Sequence, residues 1–191
     1  GSGSGKSWLA NRLIASLGRQ ATAIPIDDFY RDRSHLPLAR RARINYDHPR
    51  TIDWELLEAT LRQAKTGNSF TVPNYSYVEH TPAGRPRKCR AQRFLILEGL
   101  WALRSRRLAP LIDFAVYVDA SAKWRLARRL ERDVAERGRS RASVTRQFRE
   151  QVEPMHRRFI APQSRRADLI LQSPIDDDAF NLLLQRIDDL G

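Results

Sequence analysis

The sequence predicts an α/β fold, a parallel sheet flanked by helices. Three observations carry this reading. Short apolar runs at 21–26, 94–97, 114–118 and 169–171 alternate with segments of helical character, the pattern of a parallel sheet covered on both faces. Gly1-Ser2-Gly3-Ser4-Gly5-Lys6-Ser7 opens directly onto an amphipathic stretch. Acidic residues close three of the runs, as Asp27-Asp28, Glu98 and Asp119, and in such sheets ligands gather outside the carboxyl ends of the strands. With 191 residues, 41% of them hydrophobic, the expectation is a single domain over 1–191 with a real core.

Gly1–Ser7 reads as a Walker A loop, G-x-x-x-x-G-K-[ST], whose first glycine and preceding buried strand would lie upstream of residue 1. Glycines let backbone N–H groups curl around phosphate oxygens, and the helix that follows turns its N-terminus to the anion. A flexible Gly/Ser linker would explain neither Lys6 nor the helix, in which Trp8, Leu9, Leu13, Ile14 and Leu17 recur at helical spacing before Gly18 as a C-cap. The fold expected is therefore of the P-loop NTPase type. In that setting Lys6 would reach the β/γ-phosphates and Ser7 would offer its hydroxyl to Mg²⁺.

Further along, 55–65 reads as a helix with Leu56, Leu57 and Leu61 on one face, and Gly67-Asn68 as a turn. The segment 70–78, rich in β-formers but broken by Pro73, pairs in this reading with the region near 87–93, giving a small β flap over 70–93. Helices are expected over 123–136, over 142–156 up to an interruption near Pro154, and over 180–190.

The net charge is +12. Only four of the 34 basic residues are lysines, Lys6, Lys65, Lys88 and Lys123, and the rest are arginines. Residues 123–168 hold fourteen basic against six acidic residues. Such a run is commonly a solvated helical face. Arginines beside a Gly138 hinge also suit a helical lid over 123–149 that closes on phosphates. A single cysteine, Cys89, excludes an internal disulfide framework and a cysteine-built zinc site. No apolar run approaches the ~20 residues of a membrane span. The first residues carry no charged-then-apolar leader, so a reduced, cytoplasmic setting is expected, with no membrane partner.

Asp27 is the candidate general base, since phosphoryl transfer to a hydroxyl needs a carboxylate able to take its proton. Read alone, Asp27 and Asp28 equally cap a strand end. Glu98 resembles a Walker B acid, able to hold Mg²⁺ directly or through water.

Beyond these generic motifs the chain resembles the uridine kinase (uridine–cytidine kinase) family along nearly its whole length. The resemblance rests on Gly-Ser-Gly-Lys-Ser, Asp27-Asp28-Phe29-Tyr30, Ser34-His35-Leu36-Pro37, Asn45-Tyr46-Asp47-His48-Pro49 and Asp53. It continues through Pro73-Asn74-Tyr75-Ser76-Tyr77-Val78-Glu79-His80, Glu98-Gly99, Arg128-Arg129, Arg132-Asp133, Glu136-Arg137-Gly138-Arg139, Gln147, Pro154-Met155-His156, Phe159-Ile160-Ala161-Pro162 and Ala167-Asp168-Leu169-Ile170. It implies transfer of a phosphoryl group from ATP or GTP to the 5′-hydroxyl of uridine or cytidine.

By the same resemblance, Asp27 activates that hydroxyl, Ser7, Asp27 and Glu98 form the Mg²⁺ environment, and Asp47 holds the ribose hydroxyls. Tyr75 and His80 recognise the pyrimidine, Arg129, Arg139 and Gln147 add nucleoside contacts, and Arg132 and Arg137 clamp the triphosphate. Retention of His80 implies that both pyrimidine nucleosides are accepted, and the resemblance also implies a homo-oligomer, often a tetramer. Glu79 and Trp101 depart from the family's default residues and bear on base selectivity or local packing.

Read without the resemblance, Asp47-His48-Pro49 is equally a turn, and Tyr75 and His80 equally flap packing. Two other readings stand beside the nucleoside kinase. One is a related small-molecule kinase of phosphoribulokinase or pantothenate kinase type. The other is a basic nucleic-acid-binding P-loop module, though no nucleic acid is expected, because the arginines already have a phosphate to bind. The Asn-Lys-x-Asp guanine motif of GTPases is absent from the sequence.

Overall fold

The parallel pairing expected from the apolar runs is present as two separate pairs. A computed structural model describes residues 1–190, and the chain divides into two compact units, one formed by residues 10–112 and the other by Gly1–Leu9 with the chain from Asp113 onward. Helix α1 (Lys6–Leu17) gives its first residues to the second of these and the remainder to the first.

In residues 10–112, β1 (Ala21–Pro25) is followed by two short helical segments, α2 (Leu38–Arg41) and a turn at Pro49–Thr51, and by α3 (Trp54–Lys65). Four short strands come next, β2 (Ser69–Val72), β3 (Tyr75–Ser76), β4 (Thr81–Pro82) and β5 (Arg87–Arg90), before β6 (Phe94–Glu98). β1 and β6 run parallel, in register from Ala21↔Phe94 to Pro25↔Glu98. Parallel strands require a long crossover, here everything between Ile26 and Arg93. β2 pairs antiparallel with β5, and β3 with β4.

Helix α3 shows how local sequence sets this unit. The Asp53 carboxylate caps its first turn by accepting from the Leu56 N–H at 3.1 Å. Leu57, Thr60, Leu61 and Ala64 form its buried stripe at helical spacing. Leu56, expected on that stripe, faces solvent at 45% exposure, because the stripe is centred one position later. Fully buried Ile24, Ile26, Ile52, Leu57, Phe70, Val72, Trp101 and Leu108 make the core, at about 1.5–3 kcal/mol for each large aliphatic or aromatic side chain. Trp101, one of the two departures from the family pattern, is thus a packing residue.

The close of β6 is also a packing constraint. A Cβ on Gly99 would fall 2.6 Å from Ile26 Cβ, so the chain beyond Glu98 can pass the end of β1 only without a side chain.

The other unit holds β7 (Val116–Asp119), α4 (Ala122–Ala135), α5 (Arg141–Gln147), α6 (Glu153–Met155), β8 (Leu169–Gln172) and α7 (Asp177–Asp188). β7 and β8 are parallel from Val116↔Leu169 to Asp119↔Gln172. The Asp168 carboxylate fastens their start by accepting from the Ala115 N–H at 2.7 Å. The expected interruption at Pro154 is instead a widening of the helix. A π turn over Phe148–Val152 lets the Glu153 N–H reach the Phe148 carbonyl, and Pro154 then sits at the start of α6, where its missing N–H costs little. α7 begins at Asp177, earlier than expected, because Asp176 caps it through the Ala179 N–H.

The apolar strands are less buried than their composition predicts. β6 is half-buried along its whole length, and Ile170 of β8 is 49% exposed.

The buried face of α4 is charged. Arg125, Arg129 and Asp133 lie at spacings of four and are all buried. Arg125 donates from Nε to the Ala120 carbonyl at 3.2 Å and from its guanidinium to Glu153 Oε2 at 2.5 Å. His156 packs nearby, and burial, followed by the Arg125 charge, holds its imidazole down at about 4 against the usual 6.5.

Two outcomes follow from this packing. Gly99→Ala should lower stability by about 1–3 kcal/mol, the cost of overpacking a rigid contact, measured as a fall in Tm of several degrees. As pH falls from 6.5 towards about 4, the unfolded chain takes up a proton at His156 that the folded chain resists, so stability drops over that window. Thermal melts between pH 7 and 5 should show a shallower loss for His156→Gln than for the wild type.

Candidate active site

The sequence-predicted side chains fall into two sets, one in each unit. In the first, the turn Gly1–Ser7 closes on itself. Ser4 N–H donates to the Gly1 carbonyl at 3.1 Å, and Lys6 Nζ donates to the same oxygen at 3.3 Å. Gly3 and Gly5 take φ of +79° and +97°, which side chains disfavour. A Cβ on Gly3 would also lie 2.5 Å from the Arg125 carbonyl oxygen. The turn therefore rests directly on the backbone of α4, and the N–H groups at the start of α1 form a site suited to an anion.

The sequence-predicted arginines gather beside this turn. Arg129 donates to Ser2 Oγ at 2.6 Å and to Gln147 Oε1 at 2.9 Å, and Arg139 donates to the same Gln147 oxygen at 2.6 Å. Arg132 and Arg137 both contact Asp133 Oδ1, at 2.8 and 3.3 Å. Arg129, Arg132, Arg137, Arg139 and Gln147 thus form one cluster with Ser2, centred on Asp133. Asp133 stands in the Arg132-Asp133 pair without being singled out by sequence, because nothing local shows that a carboxylate in a basic helix is buried.

The second set lies at the carboxyl end of the β1–β6 pair. The register places Glu98 opposite Pro25, and Asp27 follows two residues later, so parallel pairing alone brings both acids to one end. Asp27 Oδ1 accepts from the Tyr30 hydroxyl at 3.3 Å. Burial, with the charges of Asp27 and Asp47, pushes the Tyr30 phenol well above its usual range, so it remains a donor. Asp28 turns elsewhere, pairing with Arg87 at 3.5 Å. Burial raises its carboxyl above the ordinary range while Arg87 opposes that shift. The two neighbouring acids are therefore distinguished by their partners.

An aromatic cluster surrounds this end. Tyr30 stands 5.0 Å from both Tyr46 and Tyr75, centroid to centroid, and Tyr46 stacks on His80 at 5.2 Å and 15°. The hydroxyls of Tyr46 and Tyr75 are buried with no partner at hydrogen-bond geometry. His80 holds φ +51°, the one left-handed non-glycine backbone among the described residues. Such strain concentrates at binding sites. Burial, followed by the Arg41 charge, lowers the His80 imidazole below 6.5. Glu79, the other departure from the family pattern, faces Arg41 at 3.9 Å.

Asp47 sits half-buried in a turn whose Asn45 side chain accepts from the Asp47 N–H at 3.0 Å. The adjoining His48 serves structure, its Nδ1 accepting from the Arg50 N–H. Asp32 ties Ser34 to Thr81, accepting from the Thr81 hydroxyl at 3.0 Å. Tyr30 and Tyr46 are the residues missed in this half. Both lie inside the quoted motifs, but their contact with Asp27 and His80 exists only across chain-distant segments.

Comparison with known proteins agrees with this architecture. The sequence model described as the phosphoribulokinase / uridine kinase family matches residues 1–179. A uridine kinase of Halobacterium salinarum is 36% identical over 187 residues, covering 98% of this chain and 83% of its own. A uridine kinase of Staphylococcus carnosus is 41% identical over 172 residues, covering 90% and 83%. Among solved structures, the phosphoribulokinase from Rhodobacter spheroides superposes with a TM-score of 0.64 at 21% identity, over 86% of this chain and 64% of that one, a likeness of fold. With a phosphate-binding turn resting on α4 and two acids brought together at the end of a parallel pair, the chain belongs to the phosphoribulokinase / uridine kinase family.

Proposed function

We propose that this protein transfers the γ-phosphoryl group of ATP or GTP to the 5′-hydroxyl of uridine or cytidine, giving UMP or CMP. The observation that carries the acceptor is the Tyr30–Tyr46–Tyr75–His80 cluster beside Asp27 and Asp47. It supplies flat surfaces for a planar base and carboxylates for sugar hydroxyls. The relatives named uridine kinase support the same acceptor. A sugar phosphate offers no planar ring to such a cluster, which disfavours the phosphoribulokinase-type acceptor. Arg129, Arg132, Arg137 and Arg139 gather on Asp133 beside the Gly1–Ser7 turn, an arrangement suited to a small phosphate ligand, which favours the kinase over the nucleic-acid module.

In this reading Gly1–Ser7 cradles the donor phosphates, with Lys6 countering charge on the transferring group and Arg132 and Arg137 joining it. Asp27, oriented by the Tyr30 hydroxyl, takes the proton from the 5′-hydroxyl as its oxygen bonds to the γ-phosphorus and the bond from that phosphorus to the β,γ-bridging oxygen breaks, releasing ADP or GDP. Asp47 accepts from the ribose hydroxyls. Tyr75 and His80 recognise the base, and Arg129, Arg139 and Gln147 complete the nucleoside contacts. Residues 70–93 act as a flap and 123–149 as a lid that excludes water.

Mg²⁺ fits the expected donors Ser7, Asp27 and Glu98, all hard oxygens. Among the described residues no three His, Cys, Asp or Glu side chains gather into a metal site, as suits an ion held largely by phosphate and water. It would offset phosphate charge. Among the described residues no helix is long and apolar enough to cross a membrane, and we place the enzyme in the cytoplasm.

A coupled ADP-release assay with Mg-ATP against uridine, cytidine, adenosine, ribulose 5-phosphate and pantothenate tests the acceptor. Turnover is expected with the two pyrimidine nucleosides, and activity confined to another acceptor would overturn the reading. Asp27→Asn should lower kcat by about 10²–10⁴-fold with nucleotide binding retained. Near-normal turnover would remove Asp27 as the base. His80→Ala should raise the uridine KM about tenfold, the loss of roughly one buried hydrogen bond, with little change in the ATP KM. Because its imidazole is held below 6.5, the wild-type uridine KM should be flat from pH 6.5 to 8. A rise across that range would contradict a neutral His80.

A further inference from the structure

We propose that Asp133 is the positioning residue that assembles the phosphate-binding arginines before any ligand arrives. This rests on the reading of that cluster as a phosphate cradle. Asp133 is fully buried, with a side-chain exposure of 0%. Four guanidinium groups converge on it: Arg132 at 2.8 Å, Arg129 and Arg137 at 3.3 Å, and Arg139 at 4.0 Å.

The convergence is built into the backbone. Arg129 stands four residues before Asp133 on α4, the spacing that shares a helix face, and Arg137 lies in the turn just beyond the end of the helix. Beyond the end of α4, Gly138 turns with φ +60°, and the Arg139 N–H folds back onto the Asp133 carbonyl at 3.0 Å.

The electrostatics explain what the carboxylate does. Four guanidinium groups at such distances repel one another, and a buried carboxylate without counter-charges would be costly. Each problem offsets the other. One negative charge among four positive ones leaves the cluster strongly cationic, so the carboxylate arranges the arginines without neutralising them.

Each guanidinium has five donors, and Asp133 occupies only part of them. Arg129 spends others on Ser2 and Gln147, which links the carboxylate to the phosphate turn. The side chains of Arg132 and Arg137 remain 34% and 42% exposed, within reach of an anion in solution.

This role predicts an effect opposite to simple Coulomb reasoning. Removing a negative charge beside an anion site would by itself tighten anion binding. If Asp133 positions the arginines, Asp133→Asn weakens it. The test is calorimetric titration of full-length wild-type and Asp133→Asn protein with inorganic tripolyphosphate, alongside KM for Mg-ATP. The variant is expected to bind tripolyphosphate about tenfold more weakly or worse, the scale of one charge-assisted hydrogen bond, with KM for Mg-ATP raised in parallel.

Equal or tighter binding by the folded variant, even with a lowered Tm, would overturn the proposal and leave Asp133 a structural residue. A wild type that fails to bind tripolyphosphate would overturn it together with the phosphate reading. A wild type that binds it, loses binding in the variant, yet phosphorylates no nucleoside would support Asp133 and refute only the acceptor.

If Asp133→Asn does not fold, the ¹⁵N arginine Nε–H signals of ligand-free wild type decide, assigned with Arg132→Lys and Arg137→Lys. Dispersed, slowly exchanging signals for both arginines support the proposal. Signals averaged with those of surface arginines overturn it.

Discussion

The contact on which the phosphate-binding unit depends is the seating of the Gly1–Ser7 turn on the buried charged stripe of α4. Gly3 lies so close to the Arg125 carbonyl that a side chain there is excluded. Arg125 is in turn held by Glu153 and the Ala120 carbonyl, and one turn along, Arg129 reaches Ser2. A helix that buries arginines and an aspartate must satisfy them, and their partners are the turn, α6 and the segment beyond Gly138. The stripe therefore organises structure and function with the same groups. Charged side chains are rarely buried unless paired, and each of the three here has an ionic partner.

The unit formed by residues 10–112 is organised differently. Its functional end follows from parallel pairing, which delivers Asp27 and Glu98 to the same end of β1 and β6, and from the close packing of Gly99 on Ile26. Around that end the polar groups are satisfied one by one. Tyr30 takes Asp27, Arg87 takes Asp28, and Asp32 takes Ser34 and Thr81. The division between Asp27 and Asp28 separates two adjacent carboxylates by partner alone. One is oriented by a neutral phenol and the other is engaged with a cation. One of the aromatic rings beside them, Tyr46, stacks on the left-handed His80.

Much of this was legible beforehand because it is local. The glycine-rich turn, the amphipathic α3 with its Asp53 cap, and the acids at strand ends are set by neighbouring residues and by backbone geometry that short motifs encode. The limits were equally physical. Leu56 and Leu57 look equivalent in sequence, yet one faces solvent and the other is fully buried, because the facing surface selects the centre of the stripe. Pro154 signals a break, but the preceding π turn absorbs it.

By itself, then, the sequence determined the class of fold, the phosphate-binding turn, the identity of the candidate acids and the concentration of arginine in one stretch. These are properties of composition, short spacing and local backbone preference. Only the tertiary structure decided that the arginines turn inward onto Asp133, that Tyr30 selects Asp27 over Asp28, and that Tyr46 stacks on His80. Those outcomes depend on which chain-distant groups share a buried environment, where an unpaired charge or hydroxyl is costly and each side chain takes the partner that packing brings within reach.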